Sequence, residues 1–415
     1  MSEQRWNALQ KSRSQKTSVS QYQRRYIFRM MGAGIMFAFL KPFRILASSY
    51  AAGSGSEADA AAVARAAKAA RLARKVSSPQ WREGKFRNNL PETTNFSLVL
   101  KKFLNRSHST PETSIPTVAR KRIDFDAKPE SGLRITWIGH SSMLVEIDGH
   151  RFLTDPVWGE RASPVSFAGP KRFFPAPLPL SEMPKLDAVV LSHDHYDHYC
   201  LETIQFLAKT EVPFIVPLGV ADRLEEHGIH HSRVREFDWW EEVQIGSVKL
   251  ACVPARHFSG RTLLDRNTTL WCGWAFIGST KRFYFSGDSA YFPGFKDIGN
   301  RYGPFDVAAI ESAAYSPAWP DVHIGPEQAI QACKDVRGNL YLPIHWATFN
   351  LSTHNWTEPA ERLIVAAGKA DIEVVFPKPG ESIEPGKVTS ALKSKWWPNI
   401  PWETAEQNPV LSSGV

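Results

Sequence analysis

His193, His195 and His198, with Asp194 and Asp197 among them, put three imidazoles and two carboxylates into six consecutive positions. The apolar run Ala188-Val189-Val190-Leu191 leads into them, as a buried strand that ends where they begin would. Imidazole and carboxylate at this density suit a divalent transition metal, above all zinc. Three more residues follow apolar runs in the same way: His257 after Val248 to Val253, Asp288 after Phe283 to Gly287, and His345 after Tyr341 to Ile344. Polar residues at strand ends converge along one edge of a sheet, where clefts form. The candidate ligands are therefore His193, His195, Asp197, His198, His257, Asp288 and His345. That number suits two zinc ions with three or four protein ligands each and a shared water. Asp194 takes the variable slot of the motif and is expected to face away.

The elements that must position these residues are short. Residues 134–138, 142–147 and 150–154 read as strands, with Asp148-Gly149 as a hairpin turn. Helices are expected over 201–209, 220–227 (ending at Gly228) and 326–336, the last with Pro326 in its first turn. Further strand signals cover 214–216, 233–237, 242–253, 270–277, 281–285, 306–310 and 340–344. Short strands with intervening helices predict an α/β sandwich. Residues 159–184, rich in proline and aromatics, read as a shaped loop.

Charge divides the chain. Of 50 Lys and Arg and 42 Asp and Glu, 24 and 9 fall within the first 130 residues, so the rest is acidic. A basic extension suits an anionic surface. Residues 1–76 read as this extension, with an apolar segment at 21–50 and an Ala-rich helix over 57–75. The apolar run is too short to span a bilayer. It is expected to be an interfacial anchor with flanking Arg and Lys on headgroups; a cleaved signal or a helix packed on the catalytic domain are the alternatives. A loop-rich connector (77–130), a catalytic domain (131–385) and a tail (386–415) complete the organisation. The four cysteines form no C-x-x-C pair, which excludes a disulfide framework or zinc ribbon and fits a reducing compartment.

The set of seven resembles the metallo-β-lactamase superfamily of dinuclear metallohydrolases, whose hallmark is H-x-H-x-D-H. Within it, the chain resembles the lineage of N-acyl-phosphatidylethanolamine-hydrolysing phospholipase D. The stretches that carry this are Trp137-Ile138-Gly139-His140, Phe152-Leu153-Thr154-Asp155-Pro156, Arg161-Ala162-Ser163-Pro164, Gly169-Pro170-Lys171-Arg172-Phe173, Arg261 to Asn267, Gly303-Pro304-Phe305-Asp306 and Ile344-His345-Trp346. The resemblance runs from about Ser78 to about Gly380. It implies an αββα sandwich and two zinc ions per subunit. One ion would sit on His193, His195 and His257, the other on Asp197, His198 and His345, with Asp288 bridging. It further implies that a hydroxide between the metals attacks a phosphodiester, and that His323 touches the phosphate or protonates the leaving group, unless it only holds backbone. Asp288 and His323 are thus the expected catalytic residues.

Other residues keep two readings. His140 makes a structural hydrogen bond or acts directly. Asp155 orients a ligand histidine or caps the loop before Pro156. Arg261 and Arg266 meet phosphate or pair with Asp265 or Glu311. Cys200 is packing or a ligand. His227, His230 and His231 are expected on the surface, and His354 and Asn355 on a loop that could reach the cleft. Phe167, Phe173, Phe174, Trp239, Trp240, Trp346 and Phe349 line an acyl groove or fill the core. The leading expectation is a membrane-associated zinc phosphodiesterase at the cytoplasmic face that releases N-acylethanolamine and phosphatidic acid. Its substrate is a membrane phospholipid, its N-terminus meets an anionic membrane surface, and a homodimer is possible. The alternative is a soluble, or exported, hydrolase of a small lactone, ester or phosphodiester. No nucleic-acid partner is expected, since the catalytic part is acidic.

Overall fold

A computed structural model describes residues 54–104 and 106–415; the apolar segment at 21–50 lies outside them. Helix α1 (Ser54–Ser77) leads into a hairpin of β1 (Trp81–Arg82) and β2 (Lys85–Phe86), followed by α2 (Phe96–Leu104). The first large sheet takes β3 (Leu133–Gly139), β4 (Ser142–Ile147), β5 (His150–Thr154), β6 (Ala188–Val190), β7 (Phe214–Pro217) and β8 (Val234–Phe237). The second takes β9 (Glu242–Ile245), β10 (Val248–Val253), β11 (Gly273–Ile277), β12 (Arg282–Phe285), β13 (Phe305–Glu311), β14 (Gly338–Ile344) and β15 (Glu373–Val374). The last strand, β16 (Ser382–Ile383), returns to the first sheet beside β3. The region 242–253, read as one strand signal, is a hairpin because Gly246, at φ 56°, turns the chain between β9 and β10.

Alternation along the strands builds the layers. Met143, Val145, Ile147 and Phe152 enter a core shared with Phe276, Phe283 and Phe285 of the facing sheet, and the Phe152 and Phe276 rings meet at 5.4 Å. Leu144, Leu153, Val189 and Leu191 point the other way, onto α3 (Leu201–Ala208) and α4 (Val220–Glu226). On the second sheet's outer face lie α5 (Gly294–Tyr302), α6 (Pro326–Asp335) and α7 (Glu358–Ala370), with α6 on β13 and β14. The result is an αββα sandwich.

Strand direction positions the site. β5 to β8 run parallel, as do β12 to β15, and two antiparallel steps make β3 and β10 point the same way as β5 and β12. The C-terminal ends of β3, β5, β6, β10, β12, β13 and β14 therefore open on the same edge of their sheets. His140, Asp155, the 193–198 motif, His257, Asp288, Glu311 and His345 stand at or just beyond these ends.

Residues 386–415, expected as a tail, are part of the packed body. Trp396 and Trp397 join Trp346 and Phe376 in an aromatic cluster, and Ser413 hydrogen-bonds both oxygens of Asp321. The connector is equally bound in: Phe86 is fully buried and Asn88 donates to the His257 carbonyl at 2.7 Å. Helix α1 is held by Arg71 on Asp222 and Glu225.

Candidate metal centre

Two groups of ligand atoms face each other at the sheet edges. In the first, Nδ1 of His195 lies 2.9 Å from His193 Nε2 and 3.3 Å from His257 Nε2. In the second, Asp197 Oδ2 lies 3.2 Å from His345 Nε2 and 3.4 Å from His198 Nε2. Asp288 Oδ2 stands between them, 3.1 Å from both His198 Nε2 and His345 Nε2, and 3.8 and 3.6 Å from His193 Nε2 and His257 Nε2. All seven residues expected as ligands thus meet at one place. Ligand atoms about 2.0–2.1 Å from a tetrahedral zinc are about 3.3 Å from one another, which is close to these spacings.

A surrounding layer aims the ligands. Asp155 Oδ2 takes the Nδ1 side of His198 at 2.6 Å, while Oδ1 accepts Ser192 N at 2.7 Å, so Asp155 orients the His198 ring. His193 Nδ1 meets Ser192 Oγ and His257 Nδ1 donates to Val322 O, both at 2.9 Å. Such partners fix the tautomer that leaves the other nitrogen for a metal. His140 Nε2 lies 2.9 Å from Asp197 Oδ2; His140 steadies that carboxylate and sits within reach of the second group of ligand atoms. His140, Asp155 and His345 have φ of 55°, 31° and 68°, strained values of the kind that gather at functional sites. Gly287, at φ 58°, precedes Asp288; a Cβ there would lie 2.6 Å from Ser192 Cβ, so only glycine lets β12 approach the motif.

Charge divides the centre in two. Burial opposes ionising Asp197 and Asp288, but the imidazoles around them outweigh it and hold both carboxyls well below the ordinary range. Burial likewise opposes charging His198 and His345; the carboxylates win, raising His198 well above its usual value and His345 to about 10. In the first group burial prevails, lowering His193 and His257 far and His195 to about 4. Asp288 Oδ1 is buried with no hydrogen-bond partner, and His198 Nε2, although 3.1 Å from Asp288 Oδ2, is buried without a well-formed hydrogen bond, which is costly for polar atoms. Cations would engage these atoms, take the place of protons on His198 and His345, and use the neutral lone pairs of the first group. The residues present fit metal ions.

Comparison with known proteins agrees. Residues 150–346 match the model of the beta-lactamase superfamily domain. The chain is 43% identical over 333 residues to an uncharacterised Mycobacterium tuberculosis protein, covering 77% of this chain and 87% of that one. It is 39% identical over 291 residues to N-acyl-phosphatidylethanolamine-hydrolyzing phospholipase D 1 of Caenorhabditis elegans, covering 66% and 81%. The chain belongs to the metallo-β-lactamase superfamily. An isothiocyanate hydrolase from Delia radicum gut bacteria shares the fold, with a TM-score of 0.50, 19% identity, and coverage of 60% of this chain and 98% of that one. This protein is a metal-dependent hydrolase of that fold, related to the phospholipase D lineage.

The remaining sequence readings resolve one by one. Arg261 meets neither an acidic partner nor the metal cleft with its guanidinium: Nη1 donates to Asp194 O and Tyr199 O, and the group lies 3.8 Å over the Tyr196 ring. Asp265 is taken by Arg223, and Arg266 pairs with Glu92. Asp194 faces away, bound to Arg223 and Gly260 N. Cys200 is packing, accepting from Gly159 N. His227, expected on the surface, is half-buried because the Tyr199 hydroxyl bonds its Nδ1 at 2.7 Å. His354 stacks on Tyr315, and Asn355 caps α7 through Thr357 N and Glu358 N. Phe174, Trp239, Trp346 and Phe349 are core residues, while Phe167 is exposed.

His323 reaches the centre: its Nδ1 is 3.9 Å from Asp288 Oδ2, and its ring lies 5.0 Å from that of His257 and 5.1 Å from that of His345. Burial lowers it to about 4. The same Nδ1 is 2.9 Å from Glu311 Oε2, a partner the sequence reading does not provide. That reading ends the strand at Ile310 and offers Glu311 to an arginine. Glu311 obeys the rule that finds His257, Asp288 and His345, a polar residue ending an apolar strand, and so carries the same signal.

Proposed function

We propose that this hydrolase is a zinc-dependent phosphodiesterase of phospholipase D type, with two zinc ions, acting on N-acyl-phosphatidylethanolamine or a related phospholipid at an anionic membrane surface. The 39% identity to the worm phospholipase D carries the reading. Zinc ions at this centre would supply Lewis acidity toward the phosphoryl oxygens and lower the pKa of water to about 7. Asp288 holds the two ligand groups in register. His195, Asp197 and His323 are the partly exposed members of the centre, so the phosphoryl group enters past them. There His323 is placed to give a proton to the N-acylethanolamine oxygen as its bond to phosphorus breaks, leaving phosphatidic acid.

The rim of the site suits a lipid. Phe96, Leu100 and Leu104, one turn apart on α2, are 40%, 50% and 77% exposed, and Leu263 and Leu264 on the loop after His257 are also exposed. Both segments adjoin the mouth: Asn95 N donates to Ala318 O at 2.7 Å in the loop before His323, and Arg266 joins Glu92 at 3.0 Å. Lys102, which also meets Glu403 at 2.9 Å, lies among the α2 leucines, so this helix combines apolar and cationic groups as an interfacial helix does. No helix among the described residues is long and apolar enough to cross a membrane.

Purified full-length protein, incubated with vesicles containing N-acyl-phosphatidylethanolamine, should release N-acylethanolamine and phosphatidic acid, read by mass spectrometry. Turnover of a soluble lactone or ester with no lipid product would overturn the assignment. Leu100→Glu combined with Leu104→Glu should weaken vesicle cosedimentation about 10²-fold, since each buried leucine is worth about 1.5–3 kcal/mol. Hydrolysis of a water-soluble diester should be unchanged, and equal cosedimentation would exclude α2 as the membrane contact.

A further inference from the structure

Glu311 is fully buried at the end of β13 and lies outside the seven ligands. Its Oε1 accepts Ser289 N at 2.9 Å and Ile324 N at 3.1 Å; its Oε2 faces His323 Nδ1 at 2.9 Å. Ser289 follows Asp288 and Ile324 follows His323. One carboxylate therefore clamps the turn that carries the bridging aspartate to the turn that carries His323. A residue needed for folding alone could satisfy the two amides and stop there. Glu311 has a second oxygen aimed at the one ring in the centre that is partly open to solvent and belongs to neither ligand group.

We propose that Glu311 is a positioning residue that holds His323 with a proton on Nδ1, donated to Glu311, so that Nε2 is the nitrogen presented to the substrate's leaving oxygen. The inference rests on the phosphodiesterase reading for the identity of that oxygen. In the step it serves, the oxygen of a water bonds to phosphorus as the bond from phosphorus to the leaving oxygen breaks; the bond electrons stay on the leaving oxygen, and the proton lost by the water passes through His323 Nε2 to that oxygen. Glu311 keeps the ring from turning by its contact with Nδ1 at 2.9 Å. A free imidazole would divide its time between two tautomers and two ring orientations; the carboxylate removes that freedom, as second partners of metal-site histidines do.

The test uses the full-length, metal-loaded enzyme with Glu311→Gln, Glu311→Ala, His323→Ala and the double Glu311→Ala/His323→Ala variant. Two diesters are compared, N-acyl-phosphatidylethanolamine and a soluble diester with a nitrophenolate leaving group, which needs no proton. Glu311→Ala should lower kcat on the lipid about 10–100-fold with KM little changed, and should cost the nitrophenyl diester far less, a loss that reads only the clamp on the Asp288 turn. In the His323→Ala background, losing Glu311 should cost less than about two-fold. The isosteric Glu311→Gln variant covers the case in which the alanine fails to fold, and should show the same leaving-group dependence with a smaller loss. Equal losses on both diesters, or an undiminished loss without His323, would reduce Glu311 to a structural clamp and overturn the proposal. If wild type cleaves neither diester, the phosphodiesterase reading falls first. Glu311 is then judged by nitrogen-15 NMR of His323, where protonated Nδ1 in wild type and mixed tautomers in Glu311→Gln support the assignment, and protonated Nε2 in wild type overturns it.

Discussion

Asp288→Asn should lower kcat by on the order of 10³-fold or more and reduce bound metal, with the fold retained. Asp288 Oδ2 is the atom common to both ligand groups. Burial alone would neutralise it, but His198 and His345 outweigh burial and keep it charged. An amide keeps the shape but loses the charge, and can turn an NH₂ toward four imidazole nitrogens. Cations held by the two ligand groups would then lack the anionic atom that both groups share. Two measurements check this: metal per chain by plasma mass spectrometry, and turnover of any substrate that wild type accepts. The circular dichroism spectrum controls for folding, since Asp288 sits on a turn outside the two apolar cores. A variant with full activity and full metal content would remove Asp288 from the centre.

Chelation should produce the other large effect, on stability, with a pH dependence of definite sign. An ion kept about 1,000-fold above its Kd contributes about 4 kcal/mol. Two such ions would shift Tm by about 15 °C in a chain of this size, at about 2 °C per kcal/mol. Linkage sets how the chelated protein responds to pH. His198 and His345 have raised values, the latter about 10. Their contribution is present below the unfolded value of about 6.5 and is lost as pH rises toward 10. His193, His195 and His257 are lowered, His195 to about 4. The unfolded chain binds protons that these folded groups refuse, so stability falls as pH drops from about 6.5 toward 4. The chelated protein should therefore be most stable near pH 6.5. With metal bound, His198 and His345 would serve as neutral ligands and the alkaline loss should disappear. The Tm gap between loaded and chelated protein should widen from pH 7 to 9 in scanning calorimetry. Parallel curves would mean that the second group of ligands does not exchange protons for metal.

Local pattern made much of this molecule legible. The strands from β3 to β7 and the helices after His198 and Gly219 follow apolar periodicity and turn residues that act over a few positions. Elements whose reason lies elsewhere in the chain were not readable. Helix α5 contains two glycines, Gly294 and Gly299, and residues of low helix propensity, and is held by burying Phe295, Ile298 and Tyr302. Helix α2 sits in a stretch read as loop, and its exposed leucines give no packing signal. Strand β16 is two residues long and exists because β3 offers an unpaired edge.

The site shows the same division. Residue type and spacing alone picked out the seven residues that the structure brings together, because a metal needs particular atoms and strands ending in histidine or aspartate are rare enough to stand out. Tertiary structure decided what surrounds that set: Asp155 behind His198, Glu311 behind His323, and Arg261 turned onto backbone carbonyls and Tyr196. The physical reason is reach. A ligand is chosen by its own chemistry, which the residue name states, whereas a hydrogen-bond partner is chosen by distance, which exists only once parallel strands have carried residues 43 positions apart, Asp155 and His198, to within 2.6 Å.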